Sequence, residues 1–146
     1  MQTVDWNRAT AITPDELPAV ITDYLAAHRA RALDAAIAHY TADAVVTDEG
    51  HDYRGPGEIR TWLARSASEY TYTIELTAAA TADDQHFDAV HHLEGNFPGG
   101  VADLHFRFTL RGTLISRLVI EPLVPGSARQ AAWTVGQTGS TVLLAG

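Results

Sequence analysis

The chain has 146 residues, 46% hydrophobic and 19% charged, which suits one globular domain with a core large enough to hold a pocket. Its 18 acidic residues stand against ten arginines and no lysine, and the net charge of -8 removes the drive to track nucleic-acid phosphates or bind an anionic membrane. With no cysteine there is no disulfide, thiolate metal site or cysteine nucleophile, and no run of about 18 apolar residues could span a bilayer.

Met1 to Ala11 carries Asp5 and Asn7 where a secretion signal needs a basic and then an apolar stretch, so the reading is a soluble, cytoplasmic protein. Thr13-Pro14-Asp15-Glu16 combines an N-cap threonine, a proline at the first helical position and a glutamate three residues after the cap, which predicts a helix start. Leu17, Val20, Ile21, Tyr24, Leu25 and His28 then recur at spacings of three and four, so one helix is expected to about Arg29. A second fits Ala32 to Tyr40, with Leu33, Ala36, Ile37 and Tyr40 on one face. Ala44 to Thr47 reads as a strand entering the polar turn Asp48 to Asp52, with Tyr53-Arg54 pairing back. Gly55-Pro56-Gly57 opens a third helix that carries Ile59, Trp62 and Leu63 inward.

After Ser68 the helical spacing gives way to a meander: Tyr70 to Ala80, Gln85 to Glu94, Val101 to Leu110 and Leu114 to Glu121. Three helices followed by long strands predict an α+β domain with helices on one face of an antiparallel sheet. Residues 14–122 form the expected core of a single domain, 1–146, and 123–146 a tail with a short helix or an added strand at Thr141 to Leu144. Alternation puts Leu104, Phe106, Phe108 and Leu110 on the covered face of the third long strand, with Asp103, His105, Arg107 and Thr109 opposite. In the second, Phe87, Ala89, His91 and Leu93 face inward, and His91 is the polar exception.

The inward polar residues carry two readings each. Tyr24 is a core tyrosine with a local acceptor or a hydrogen-bond donor to a ligand. His91 is a satisfied buried histidine or a site residue. Asp48 bonds its own turn or acts as a base. No histidine pair has the helical spacing beside a carboxylate that binds metal, and no nucleophile elbow, phosphate loop or dinucleotide fingerprint occurs, so neither a metal nor a cofactor is expected.

Tyr24-Leu25-Ala26-Ala27, Leu33 through Tyr40, Ala42-Asp43-Ala44-Val45-Val46 and Tyr53 through Arg60 resemble a SnoaL-like domain of the nuclear transport factor 2-like superfamily. The resemblance covers about residues 14–122 and implies a cone-shaped α+β barrel, a curved sheet wrapped around three helices and a deep pocket, with dimers common. The superfamily hosts isomerases, cyclases, dehydratases, epoxide hydrolases and plain binding modules. The pattern is most similar to ketosteroid isomerase: its first-helix tyrosine matches Tyr24, its aspartate base Asp48, and His105-Phe106-Arg107-Phe108 resembles its strand. That enzyme's second oxyanion donor, a protonated aspartate just before the tetrapeptide, is Leu104 here, and Asp103 is one residue off, on the opposite face. A limonene epoxide hydrolase-like site would need Arg107 inside, whereas alternation puts it outside.

The resemblance thus implies Asp48 as general base, Tyr24 as oxyanion donor and His91 as substitute donor or proton carrier, in a pocket lined by His28, Tyr40, Trp62, Leu104, Phe106, Phe108 and Glu121. The expected function is a cofactor-independent isomerase or cyclase acting on a small hydrophobic molecule, the alternative a noncatalytic ligand-binding or dimeric interaction module. A homodimer is expected through the face bearing Asp103, His105 and Arg107.

Overall fold

The computed structural model describes residues 4–123; the element expected at Thr141 to Leu144 lies outside them. The helix start at Thr13 is real, and the Glu16 carboxylate accepts the Thr13 N–H at 2.8 Å. It lasts one turn of 3-10 helix, Pro14–Glu16, because Pro18 interrupts it. Proline lacks the N–H a helix needs and disfavours helical geometry in the residue before it, so Leu17 is extended (φ -65°, ψ 145°). The single expected helix is therefore two elements, and α1 runs Ala19–Arg29. Ile21, Tyr24 and Leu25 are buried on its inner face.

Helix α2, Leu33–Ile37, is shorter than expected. Tyr40 begins a strand instead, since it pairs with Ile115 and its hydroxyl reaches Tyr24, contacts that outweigh local helical spacing. A three-residue strand, β1 (Thr10–Ile12), was too short to show a period and went unanticipated. Strand β2 is Tyr40–Asp48 and β3 is His51–Arg54. They form a hairpin with a two-residue turn at Glu49 and Gly50, both left-handed (φ +54° and +77°), the backbone that matches the twist of paired strands. Helix α3, Gly55–Glu69, buries Ile59, Trp62 and Leu63 as their spacing predicts.

Strands β4 (Tyr72–Asp83), β5 (His86–Gly95), β6 (Val101–Arg111) and β7 (Leu114–Pro122) follow. The curved sheet is not closed and has the order β1-β4-β5-β6-β7-β2-β3. The expectation of a wholly antiparallel sheet needs one correction: β2 and β7 run parallel, which the crossover through α3 and four intervening strands allows. The α+β class stands, with a curved sheet and three helices.

Alternation holds along β5 and β6. Leu104, Phe106, Phe108 and Leu110 are buried, and His91 is 1% exposed. Burying one such phenylalanine contributes about 1.5–3 kcal/mol. The opposite face carries hydrogen-bonded pairs of His92 with Asp103 (2.7 Å) and His105 with Asp88 (2.6 Å), and an ion pair of Arg107 with Glu121 (3.0 Å). Asp88, though on this outer face, is buried beneath them, and Trp6 covers the Arg107 guanidinium at 4.9 Å. Among the described residues no helix is long and apolar enough to cross a membrane.

Candidate functional site

Ala44, Val46 and Asp48 alternate inward along β2, so the strand's last residue is a carboxylate carried into the interior. Asp48 is 6% exposed. Helix α3 packs across β2 and delivers the Trp62 indole N–H to Asp48 Oδ2 at 3.0 Å. Burial pushes the Asp48 carboxyl up to about 7, against the Trp62 hydrogen bond, the Arg65 charge and the Glu49 backbone, each of which favours its anion. A proton acceptor poised near neutrality results.

Asp48 borders a cleft of about 280 Å³ between the β2–β3 turn and the end of β7. Leu104, Val119, Ile120 and Pro122 make its apolar wall, and Asp48, Glu49 and Glu121 its acidic one. Glu121 is tied to Arg107. Val119, Ile120, Pro122 and Glu49 are cleft residues that sequence reasoning does not single out, and Glu49, which the sequence places in a polar turn, is the titratable one among them. Its signal was a glutamate where a two-residue hairpin turn ordinarily takes asparagine, aspartate or glycine.

Behind Asp48 the other expected residues form one chain of ring contacts. Trp62 lies 6.4 Å from His28, and His28 lies 6.1 Å from Tyr24 and 6.3 Å from Phe106. Tyr24 meets Tyr40 edge-on at 5.1 Å and Phe108 at 5.9 Å, and His91 packs on Phe106 at 4.4 Å. The Tyr40 hydroxyl donates to the Tyr24 hydroxyl at 2.7 Å. Burial raises the Tyr24 phenol well above its ordinary range, partly offset by that bond, so it is a neutral donor. Burial also lowers His28 to about 4, helped by Arg29 and Arg31. His91 falls to about 3, from burial first and then the charges of His28 and Arg29, against a bond from Nδ1 to the Ala89 carbonyl at 3.2 Å. Both imidazoles are neutral at physiological pH.

The structure thus places Asp48, Leu104 and Glu121 on the cleft, with Trp62 bonded to Asp48. Tyr24, Tyr40, Phe106, Phe108 and His91 are packed in the aromatic cluster and are not among the residues lining the cleft. His28 borders a separate space of about 10 Å³ with Arg31, Leu63 and Tyr72, room for one water. Among the described residues no group of three or more His, Asp or Glu side chains is placed to hold a metal ion.

An open curved sheet over three helices is the nuclear transport factor 2-like fold, and in this chain a buried carboxylate ends one of its strands. Residues 21–118 match the SnoaL-like domain, and the chain belongs to that family. It is similar to a candidate polyketide cyclase from Sinorhizobium meliloti, at 28% identity over 75% of this chain and 100% of the other, with a TM-score of 0.70. It shares its fold with a hypothetical protein of ketosteroid isomerase-like fold from Catenulispora acidiphila, in complex with trimethylamine (19% identity, 85% and 98% of the two chains, TM-score 0.64). It also shares it with the Δ5-3-ketosteroid isomerase of a Mycobacterium species (15% identity, 70% and 89%, TM-score 0.59). None of the curated proteins matches.

Proposed function

We propose that the chain is a cofactor-independent proton-transfer enzyme of isomerase or cyclase type, acting on a small hydrophobic molecule in the cleft with Asp48 as general base. The observation that carries this reading is a buried carboxylate on an apolar cleft, bonded to an indole N–H and moved into the neutral range by its surroundings. A general base works best when its pKa lies near the operating pH. The resemblance to a candidate polyketide cyclase supports a carbonyl-activated carbon acid as substrate. Tyr24 stands behind the cleft wall, and its hydroxyl accepts from Tyr40, which leaves its own proton to give; it serves as donor to the oxygen where charge develops if the substrate reaches into the aromatic cluster. His91 is neutral and gives its Nδ1 proton to the Ala89 carbonyl, so its remaining ring nitrogen is an acceptor and the ring acts as a proton carrier rather than a donor.

The test is a proton-exchange assay on small enones and β-dicarbonyls, comparing wild type with Asp48→Asn and Tyr24→Phe. Loss in Asp48→Asn supports the base, and loss of about 10²–10³ in Tyr24→Phe supports the donor. A second reading, noncatalytic binding of a small hydrophobic ligand, is favoured by the position of Tyr24 and His91 in the packed cluster rather than on the cleft wall. Equal rates in all three proteins would select it.

The same reading includes a cytoplasmic homodimer. The outer face of β5 and β6 presents His92, Asp103, His105 and Arg107 as alternating charge that a second copy could meet across a two-fold axis. Light scattering that gives the mass of one chain at every micromolar concentration would contradict the dimer.

A further inference from the structure

The β2–β3 turn brings two consecutive acidic residues to the lining of one cleft. Neighbours in an extended strand point to opposite faces, so an inward Asp48 would ordinarily send the next side chain outward. Glu49 is not extended. Its φ of +54° lies in the left-handed region, which a glutamate seldom occupies and which asparagine or glycine would hold with less strain. Both residues line the cleft, and Glu49 is only partly exposed.

The surrounding charges set the two groups apart. Burial, then the charges of Asp48 and Glu69, push Glu49 up to about 9, while Arg65 pulls it down. Glu121 is paired with Arg107 on the outer face of the sheet. Between pH of about 7 and 9 the cleft therefore holds an ionised Asp48 next to a neutral Glu49. Two carboxyl groups driven apart in this way are suited to be base and acid. Tyr24 lies behind, in the aromatic cluster, whereas Glu49 lines the cleft beside Asp48.

We infer that Glu49 is a catalytic acid of this cleft, giving its carboxyl proton to the oxygen of a carbonyl substrate while Asp48 removes a proton from the adjacent carbon. The inference rests on the proton-transfer reading of Asp48. In the step the C–H bond breaks and its proton passes to Asp48; its electron pair becomes the C=C bond of an enol. The carbonyl π pair forms an O–H bond with the Glu49 proton, leaving Glu49 as carboxylate and Asp48 neutral. In an isomerisation the return is the reverse at a different carbon: Asp48 delivers its proton there and Glu49 recovers the one on oxygen. No co-reactant is needed.

Two variants separate chemistry from folding. Glu49→Gln keeps the size and cannot donate a proton in this range. Glu49→Gly removes the acid and suits the positive φ, so the turn should be at least as stable. The first readout needs no substrate: carbon NMR titration of the Glu49 carboxyl in the full chain. It should stay protonated well past pH 7 and ionise at lower pH in Asp48→Asn, where the like charge is gone. Ionisation of wild-type Glu49 in the ordinary glutamate range would overturn the inference whatever the turnover.

The second readout is the pH profile of exchange on the enone and β-dicarbonyl panel. Wild type should give a bell, and both Glu49 variants should lose about 100-fold and the alkaline limb while keeping the acid limb set by Asp48. Unchanged profiles in both variants, beside an inactive Asp48→Asn, would overturn the role of Glu49 and leave Asp48 standing. No exchange by wild type on the panel would overturn the proton-transfer reading and this role with it.

Discussion

Replacing Asp48 with asparagine should make the protein more stable at pH 8 while abolishing proton transfer. The carboxyl has an ordinary value of 3.8 and sits at about 7 in the folded chain, so folding raises its proton affinity. Below pH of about 4 it is protonated in both states and costs nothing. As pH climbs from about 4 to about 7 the unfolded chain releases its proton first, and stability falls until the folded group also ionises. At about 1.4 kcal/mol per tenfold change in proton affinity, the interval from 3.8 to about 7 amounts to a ceiling of about 4 kcal/mol. Asparagine is the same shape, carries no charge and keeps an oxygen for the Trp62 N–H.

The expected gain at pH 8 is about 2–4 kcal/mol, shrinking towards zero at pH 4. Relief of Glu49, whose proton affinity Asp48 also raises, acts in the same direction. His28 and His91 are present in both proteins and leave the difference to Asp48. Urea unfolding followed by circular dichroism, at intervals from pH 4 to pH 8, measures it. A constant difference between the two proteins over that range, or a mutant less stable at pH 8, would show that Asp48 is not a desolvated ionisable group.

Three further outcomes follow from the same geometry. Trp62→Phe removes a hydrogen bond to a carboxylate worth about 1.5–3 kcal/mol, so Asp48 should ionise at about 8–9, visible in its NMR titration; an unchanged titration would remove Trp62 from the site. Tyr40→Phe takes the donated bond from the Tyr24 hydroxyl and should lower stability by about 1 kcal/mol, and a double-mutant cycle with Tyr24→Phe should recover that coupling. His28 at about 4 and His91 at about 3, both below the ordinary 6.5, mean that the unfolded chain binds their protons first. Their contribution to stability therefore falls as pH drops from 6.5 towards 4. His91→Leu should relieve about 1.4 kcal/mol per pH unit of that fall, and acid denaturation identical to wild type would contradict it.

The amino-acid sequence by itself determined most of the frame. Period-two patterning in Phe87 to Leu93 and Leu104 to Leu110 settled which side chains enter the core, because a strand offers its residues two faces and only one is covered. Spacing placed Ile59, Trp62 and Leu63 inward on α3, and alternation along β2 carries Asp48 to the same side as Val46. The break at Pro18 is equally local, since its missing N–H separates Glu16 from Ala19, yet the helical spacing across it reads as one continuous helix.

Tertiary structure decided the rest. Tyr40 is strand rather than helix because Ile115 and Tyr24 are its partners, 75 and 16 positions away in the chain. Whether β2 lies beside β7, and in which direction, depends on how the sheet curves over the helices. That pairing sets the β2–β3 turn against the end of β7 and so makes the cleft. Burial, the Trp62 N–H and the nearby Arg65 charge then fix the proton affinity of Asp48, and none of these is a property of residue 48 or its neighbours in sequence alone. Glu49 enters the same cleft through a positive φ that the hairpin imposes and local propensity would resist.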